Sequence, residues 1–280
     1  AKEASKAAAL SQCDLLTGMV GEFPELQGLM GYYYALNDKE PLSVAKALYE
    51  QYKPAFAKDE IPQSPLGLAL SLAGRLDTLV GIFAIGQKPS GVKDPYKLRR
   101  HALAVVRMLI EQKVNIPLSA LLNMSREAYV GKLEINTELL NEVHQFMLER
   151  LYAYYQAQGI SSDKVDAVIA LQNDVLTDLD ERLKALVAFL GQDEAKALAA
   201  ACKRVNNLLN HAKMKEGLLK PELLSEAAEV KLYEALNLKH KVVHEAYEKG
   251  DYKKALFETA SLRDSVDTFF EKVMVMVDDN

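Results

Sequence analysis

The sequence predicts an all-α protein, and three observations support that class. Apolar residues recur at the spacing of one helical face along most of the 280 residues. No stretch alternates apolar and polar residues between turn signals, and only a short Val-Met-Val-Met-Val run near the end is ambiguous. Hydrophobic residues make up 49% of the chain and charged residues 26%, as in an ordinary globular protein.

Length and composition narrow the class further. The chain is long enough for roughly two domains, and its 14 glycines and 9 prolines are too few for a collagen-like or low-complexity protein. No apolar run approaches the ~18–20 residues that cross a bilayer, so we expect a cytoplasmic protein without a membrane contact. Cys13 and Cys202 lack CxxC spacing and lie in apolar helical pattern, which predicts a reducing compartment, no zinc ribbon and buried thiols. The first residue is Ala and the last apolar residues carry no helix cap, so we expect a part of a longer polypeptide.

The first half of the chain consists of periodic segments separated by Gly and Pro. Residues 20–25 break the first segment, Pro41 suits a first helical turn, and Pro62 and Pro65 mark a loop. The segment after this loop is apolar nearly all round, which indicates a central core helix, and residues 86–95 form the next loop. The predicted helices are Ala4–Met19, Leu26–Leu36, Leu42–Tyr52, Leu66–Ile85 and Tyr96–Gln112.

Longer helices follow in the second half. Gly159 ends one of them, and Ser161-Ser162-Asp163 offers N-cap chemistry for the next. We therefore divide the chain into a helical domain over residues 1–124, a connecting helical region over residues 125–192 and a last helical domain over residues 193–280. The helices with predicted bounds are residues 137–158, Thr177–Leu190, Asp193–Ala212, Pro221–Lys249 and Tyr252–Val277.

The sequence lacks the motifs of common active sites. It contains no GxSxG, no P-loop and no GxGxxG after a strand, so we predict no catalytic residue. His240 and His244 have the one-turn spacing of zinc-binding histidine pairs, but Lys239 and Lys241 would repel a cation, and we predict no metal site. The other histidines are interpreted as surface or packing residues: His101, His144 and His211.

Basic residues gather after the predicted central helix, although the chain carries a formal net charge of −5. Residues 86–113 contain seven basic residues against two acidic ones. A loop that carries lysines into a helix beginning with Lys and Arg is suited to contact phosphates, while a solvated helix face would explain the same charges. The candidate phosphate contacts are Lys88, Lys93, Lys97, Arg99, Arg100 and Arg107.

Several blocks in order along the chain resemble the β subunit of bacterial glycyl-tRNA synthetase. The first is Leu15–Gly31, which reads LLTGMVGEFPELQGLMG, and the next are Gly74–Phe83 and Asp94–Leu103. Shorter blocks continue the resemblance at Glu149–Leu151, Asp166–Val168, Lys203–Asn207 and Val266–Met276. Collinear blocks over nearly the whole chain are more specific than any single short motif.

The resemblance implies a function in attaching glycine to tRNA. In that family a smaller α subunit holds the class II catalytic site for glycine, with ATP and Mg²⁺, and the β subunit handles the tRNA. The expected partners are the glycyl-tRNA synthetase α subunit, in a tetramer of two α and two β subunits, and tRNA(Gly), with no cofactor bound by this chain. The basic residues around residues 88–107 would then contact the acceptor arm. The anticodon side is assigned to Lys203, Arg204, Asn206 and Asn207, which offer charge for the backbone and amides for base edges.

The resemblance also implies an HD-like domain over residues 1–124 and a C-terminally incomplete anticodon-binding domain over residues 193–280. Active HD hydrolases bind a metal through a His-Asp pair and a later Asp. The corresponding positions here hold Cys13-Asp14 and Gly74, which cannot build that ligand shell. We expect an inactive hydrolase scaffold, with an HD-type metal-dependent phosphohydrolase or a purely structural helical scaffold as the alternatives.

Overall fold

A computed structural model describes residues 1–212 and 219–274, and within these residues the only regular secondary structure is helical. An isolated antiparallel bridge between Ser90 and Lys93 belongs to a turn. The all-α prediction is confirmed. The terminal Val-Met-Val-Met-Val run lies mostly outside the described residues.

The contacts divide the chain into two compact units, Ala1–Leu179 and Asp180–Asn280. The three-part division of the sequence stays a prediction. The helices of the first unit, which also includes the first residues of α10, are α1 (Lys2–Ala9), α2 (Gly18–Glu22), α3 (Leu29–Asn37), α4 (Leu42–Glu50), α5 (Pro65–Ala84), α6 (Leu98–Glu111), α7 (Leu118–Glu127), α8 (Thr137–Gln156) and α9 (Ser162–Ile169), with 3-10 turns at Cys13–Leu16 and Pro24–Leu26.

Helix α5 lies at the centre of the first unit, packed against α4, α6, α7 and α8. Its buried side chains include Leu76, Leu79, Val80 and Phe83, which confirms the predicted core helix.

The prediction that no apolar segment could cross a membrane is wrong by length and composition, because the 20 residues of α5 meet both criteria. However, half of the most apolar stretch of α5 is buried inside the protein, as in the core helix of a soluble domain.

The first predicted helix, Ala4–Met19, is wrong beyond Ala9. Gln12 adopts a left-handed conformation (φ 61°), which ends helical propagation, and a 3-10 turn follows. Thr17 then caps α2, its hydroxyl accepting a hydrogen bond from the backbone N–H of Val20 at 3.3 Å.

The second unit is held by packing between its helices. Phe189, Ala195 and Ala260 are buried together, and the ring of Phe257 meets that of Phe189 edge to face at 5.4 Å. The predicted helix Tyr252–Val277 is interrupted after Ala260 and resumes at Arg263. The described helices are α10 (Leu176–Leu190, whose first residues belong to the first unit), α11 (Asp193–Ala212), α12 (Ala227–Glu248), α13 (Tyr252–Ala260) and α14 (Arg263–Lys272), with a 3-10 turn at Pro221–Leu223.

Candidate nucleic-acid interface

The loop between α5 and α6 presents part of the predicted basic patch on a tight turn. Ser90 and Lys93 exchange two backbone hydrogen bonds, at 3.0 and 2.9 Å, and Gly91 between them has a φ of +52° that favours glycine. This turn leaves Val92 99% exposed and places Lys93 on the surface.

The start of α6 continues this surface. The carboxylate of Asp94 accepts hydrogen bonds from the backbone N–H groups of Leu98 and Arg99, at 2.8 and 2.9 Å. The negative charge of Asp94 therefore stabilises the helix N-terminus and forms no ion pair with the neighbouring lysines. Lys97 at the N-cap is exposed. Neither its ammonium group nor that of Lys93 has a hydrogen-bond or ion-pair partner among the residues that the structure describes.

Arg99 lies beside this turn, and its Nη2 donates to the backbone oxygen of Gly91 at 2.7 Å. Tyr96 is 42% exposed between the two lysines. An exposed aromatic ring among basic residues provides a surface on which a base can stack. Sequence reasoning missed Tyr96, although its position between Asp94 and Lys97 in a loop was a usable signal.

The other basic candidates on this side are engaged within the protein. Lys88 forms an ion pair with Glu142 at 2.5 Å, and Arg107 forms one with Glu111 at 2.8 Å. Arg100 donates to the backbone oxygen of Ala55 at 3.3 Å. Arg107 also donates to two backbone oxygens of the loop between α4 and α5, those of Ala57 and Asp59, both at 2.9 Å. The structure thus brings Lys93, Lys97 and Arg99 together at one turn and uses Lys88, Arg100 and Arg107 for internal contacts.

The candidates for the anticodon side lie on α11 and are all exposed. Lys203, Asn206 and Asn207 share one helical face because of their three- and four-residue spacing. Arg204 instead contacts α14: its guanidinium lies 3.5 Å from a carboxylate oxygen of Asp267 and 5.0 Å from the ring centroid of Phe270.

Both cysteines are exposed, which corrects the prediction of buried thiols. Cys202 lines an apolar groove of about 250 Å³ between α11 and the α13–α14 segment, together with Val205 and Val266. The apolar face of a helix stays exposed when the neighbouring helices do not cover it. The periodicity of the sequence therefore did not show that Cys202 would be exposed.

The positions that we expected to correspond to an HD hydrolase centre are Cys13, Asp14 and Gly74. The buried carboxylate of Asp14 accepts hydrogen bonds from Tyr52 Oη and from the backbone N–H of Gly28, both at 2.7 Å. Cys13 and Asp14 line a cavity of about 280 Å³, whereas Gly74 lines a different cavity of about 130 Å³. In residues 1–212 and 219–274, no group of three His, Cys, Asp or Glu side chains is arranged to hold a metal ion.

The isolated histidines include two with specific partners. His144 Nε2 lies 2.7 Å from a carboxylate oxygen of Asp174, and His101 Nδ1 lies 3.3 Å from Nη1 of Arg75. The rings of His240 and His244 stack with their centroids 6.1 Å apart. His211 lies outside the residues whose side chains are described.

Two parts of the chain match the models of known protein families. Residues 198–280 match the model of the DALR anticodon binding domain, so the last part of the chain belongs to this class of domain. Residues 1–170 match the model of the glycyl-tRNA synthetase beta subunit. The chain belongs to the glycyl-tRNA synthetase β-subunit family, as its sequence blocks indicated.

Individual relatives agree with this assignment. The chain is 46% identical to the glycine–tRNA ligase beta subunit of Janthinobacterium sp. (strain Marseille), over 100% of its own length. It is 44% identical to the corresponding subunit of Ralstonia nicotianae and 45% identical to that of Yersinia pestis, over 99% of its length in each case. The chain spans 40% of the length of these curated relatives.

Proposed function

We propose that this chain is the tRNA-binding portion of a glycine–tRNA ligase β subunit. It would position tRNA(Gly) while a partner α subunit carries the catalytic site for ATP-dependent attachment of glycine, with ATP and Mg²⁺ bound there. Membership of the β-subunit family supports the reaction, and the anticodon-binding match supports the contact with tRNA. A cytoplasmic location and a tetramer of two α and two β subunits complete the proposal.

The observation that carries the proposal is the pair of unpartnered ammonium groups at the α5–α6 turn. Lys93 and Lys97 are exposed on either side of Tyr96, and no carboxylate in the described part of the chain neutralises them. Their charge is therefore available to displace counterions from phosphates, which is the main source of nucleic-acid affinity. Asp94, the acidic residue between them, is engaged with the N-terminus of α6.

The remaining basic candidates rank below this pair. Lys88 and Arg107 would have to leave Glu142 and Glu111 before meeting a phosphate, which offsets part of the gain. Arg99 keeps most of its guanidinium donors, because its side chain makes only one hydrogen bond, to Gly91, within the described part of the chain. We assign the acceptor-arm contact first to Lys93, Lys97 and Arg99.

A second contact is proposed on α11. Lys203 would meet the RNA backbone, and the amides of Asn206 and Asn207 on the same face would reach unpaired bases. Arg204 would act mainly by joining α11 to α14 through Asp267.

Charge reversal at the turn tests the proposal. The Lys93→Glu/Lys97→Glu variant should bind a tRNA(Gly) transcript at least about tenfold more weakly, with a salt dependence reduced by roughly one to two phosphate equivalents. The matched control is Lys46→Glu/Lys132→Glu, which makes the same change in net charge at exposed lysines elsewhere in the first unit. Equal affinities and equal salt slopes for the two variants, measured by fluorescence anisotropy, would contradict the proposal and favour a purely structural scaffold.

A further inference from the structure

Two histidines on α12 form a pair that the proposed tRNA contacts do not use. His240 and His244 lie one helical turn apart, and both side chains are exposed. Their rings are nearly parallel, at 13°, with centroids 6.1 Å apart. Neither imidazole has a hydrogen bond or an ion pair within the residues that the structure describes. The ring nitrogens of both histidines are therefore available to a ligand.

The packing of α12 explains why both rings face the solvent. The helix packs against α13 and α14. Ala246 is buried and Val242 is half-buried, and each lies two residues from His244, which places them on the opposite side of the helix. Residues four apart have Cβ atoms about 5–6 Å apart, so the helix itself holds the two histidines side by side.

Two flanking lysines were the reason to predict no metal site from the sequence, and the structure shows what their charges meet. The ammonium group of Lys239 forms an ion pair with Glu258 on α13 at 2.6 Å, so its charge is neutralised. Lys241 lies one turn before His244, and Glu248, of opposite charge, lies one turn after it. The charges beside the histidine pair are therefore balanced and do not exclude a cation.

The geometry of the pair suits a shared metal ion. Imidazole nitrogen is a preferred ligand of Zn²⁺, Cu²⁺ and Ni²⁺. Two ring nitrogens at ~2.0–2.1 Å from one ion place their ring centroids roughly 4.5–5 Å apart, about 1 Å closer than here. Because both side chains are exposed, rotation about their own side-chain bonds provides this change without moving the helix.

We propose that His240 and His244 form a binding site for a divalent transition-metal ion of the zinc class, held by one ring nitrogen of each imidazole. Two protein ligands leave the other positions of a tetrahedral shell to water, so the site is open. Mg²⁺, which prefers oxygen ligands, should not bind here. The pair belongs to a different unit from Lys93 and Lys97, and the proposal does not depend on the tRNA contact assigned to that turn.

An exchange of two side chains separates chelation from composition. The variant Lys241→His/His244→Lys keeps the number of histidines and lysines, and both positions are exposed on α12. Its two imidazoles are adjacent in sequence, at positions 240 and 241, and adjacent side chains on a helix do not face each other. Histidine and lysine are both tolerated in helices, so the variant should fold and lose only the shared coordination.

The test is calorimetric titration of the chain with Zn²⁺ near neutral pH. The parent protein is Cys13→Ser/Cys202→Ser, because the two exposed thiols would compete for the metal. We expect the parent to bind Zn²⁺ and to show no binding of Mg²⁺. The exchange variant and His240→Gln, each made in this parent, should bind Zn²⁺ at least about tenfold more weakly, equivalent to about 1.4 kcal/mol. Equal Zn²⁺ affinities of the parent and the exchange variant, or no binding by the parent, would overturn the proposal.

Cu²⁺ provides a second measurement on the same proteins. Nitrogen sites bind Cu²⁺ more tightly than Zn²⁺, so the parent should show the higher affinity for Cu²⁺ and the exchange variant should again be weaker. A Cu²⁺ affinity that the exchange leaves unchanged would show that the metal binds elsewhere. Lys93→Glu/Lys97→Glu in the same parent should bind Zn²⁺ as the parent does, so failure of the tRNA proposal remains distinguishable from failure of this one.

Discussion

Nη1 of Arg75 lies 3.3 Å from Nδ1 of His101, so a buried cation on α5 is joined to a neutral imidazole on α6. The contact fixes the tautomer of the histidine, because a guanidinium cannot accept a hydrogen bond. It also makes protonation of His101 unfavourable, since two positive charges would then face each other in a buried site.

This contact predicts that the protein loses stability as the pH falls from about 6.5 to about 4. The pKa of His101 is lowered from 6.5 to about 4 by burial and by Arg75. In this window the unfolded chain binds a proton at position 101 and the folded chain does not, so protonation favours unfolding. The loss should reach roughly 1–2 kcal/mol after allowance for partial solvent exposure. Urea unfolding at pH 7 and pH 4.5 measures it, and His101→Asn should lack this component of the pH dependence.

Arg75→Lys should destabilise the first unit by about 2–4 kcal/mol, because a lysine cannot reproduce the fork that serves the backbone oxygens of Tyr52 and Pro54. Arg126→Lys, on α7, is the control, since Arg126 has no side-chain hydrogen bond or ion pair in the described structure. Urea denaturation compares the two, and a loss below about 0.5 kcal/mol for Arg75→Lys would show that Arg75 is not needed for the fold.

Two glycines of α5 should respond oppositely to alanine. A Cβ at Gly81 would overlap the hydroxyl oxygen of Tyr129, whereas a Cβ at Gly74 would meet nothing within 4 Å. Gly81→Ala should therefore destabilise the protein by about 1–3 kcal/mol. Gly74→Ala should stabilise it by up to about 1 kcal/mol through helix propensity. Thermal unfolding distinguishes the two, and shifts of the same sign would contradict the close approach of Tyr129 to α5.

Asp14 is predicted to stabilise the fold and to carry no catalysis. Asp14→Ala leaves the hydroxyl of Tyr52 and the N–H of Gly28 without their acceptor, so it should cost about 2–4 kcal/mol. Tyr52→Phe should cost about 1 kcal/mol, and the double variant less than the sum of the single ones. In an assay with Mn²⁺ and a phosphomonoester, wild type and Asp14→Ala should both remain at background. A metal-dependent activity that Asp14→Ala abolishes would instead identify an active HD-type hydrolase.

Both thiols should react in the folded protein. Cys13 and Cys202 are exposed, so a thiol reagent such as DTNB should modify the two groups without denaturant. Cys13→Ser and Cys202→Ser should each remove one equivalent of fast reaction. Fewer than two fast thiols in wild type would show that one of these side chains is covered.

The sequence predicted the elements whose cause is local. The apolar periodicity of residues 66–85 identified the central helix α5, and the turn residues between 86 and 95 identified the loop that follows. It did not predict the 3-10 turn at Cys13–Leu16, because Asp14 in this turn is held by Gly28 and Tyr52, which lie 14 and 38 residues away. Such partners are supplied by the tertiary fold and leave no periodic signal.

The candidate site shows the same contrast between local causes and partners that are distant in the sequence. The charge of residues 86–113 can be counted from the sequence, but its availability cannot. Lys88 meets Glu142, a residue 54 positions away, whereas the nearby Asp94 binds backbone amides of α6 and leaves the lysines beside it unneutralised. Family membership, in contrast, was readable from collinear blocks because it depends on no such contact.

The segment that joins α4 to α5 is held in place by side chains of neighbouring helices. Backbone oxygens of Pro54, Ala55, Ala57 and Asp59 accept hydrogen bonds from guanidinium groups of α5 and α6. The path of this connector is thus set by side chains of two neighbouring helices and not by a repeating main-chain ladder. Any shift of α6 would be transmitted to it directly, and it should lose its conformation together with these helices, as one cooperative unit.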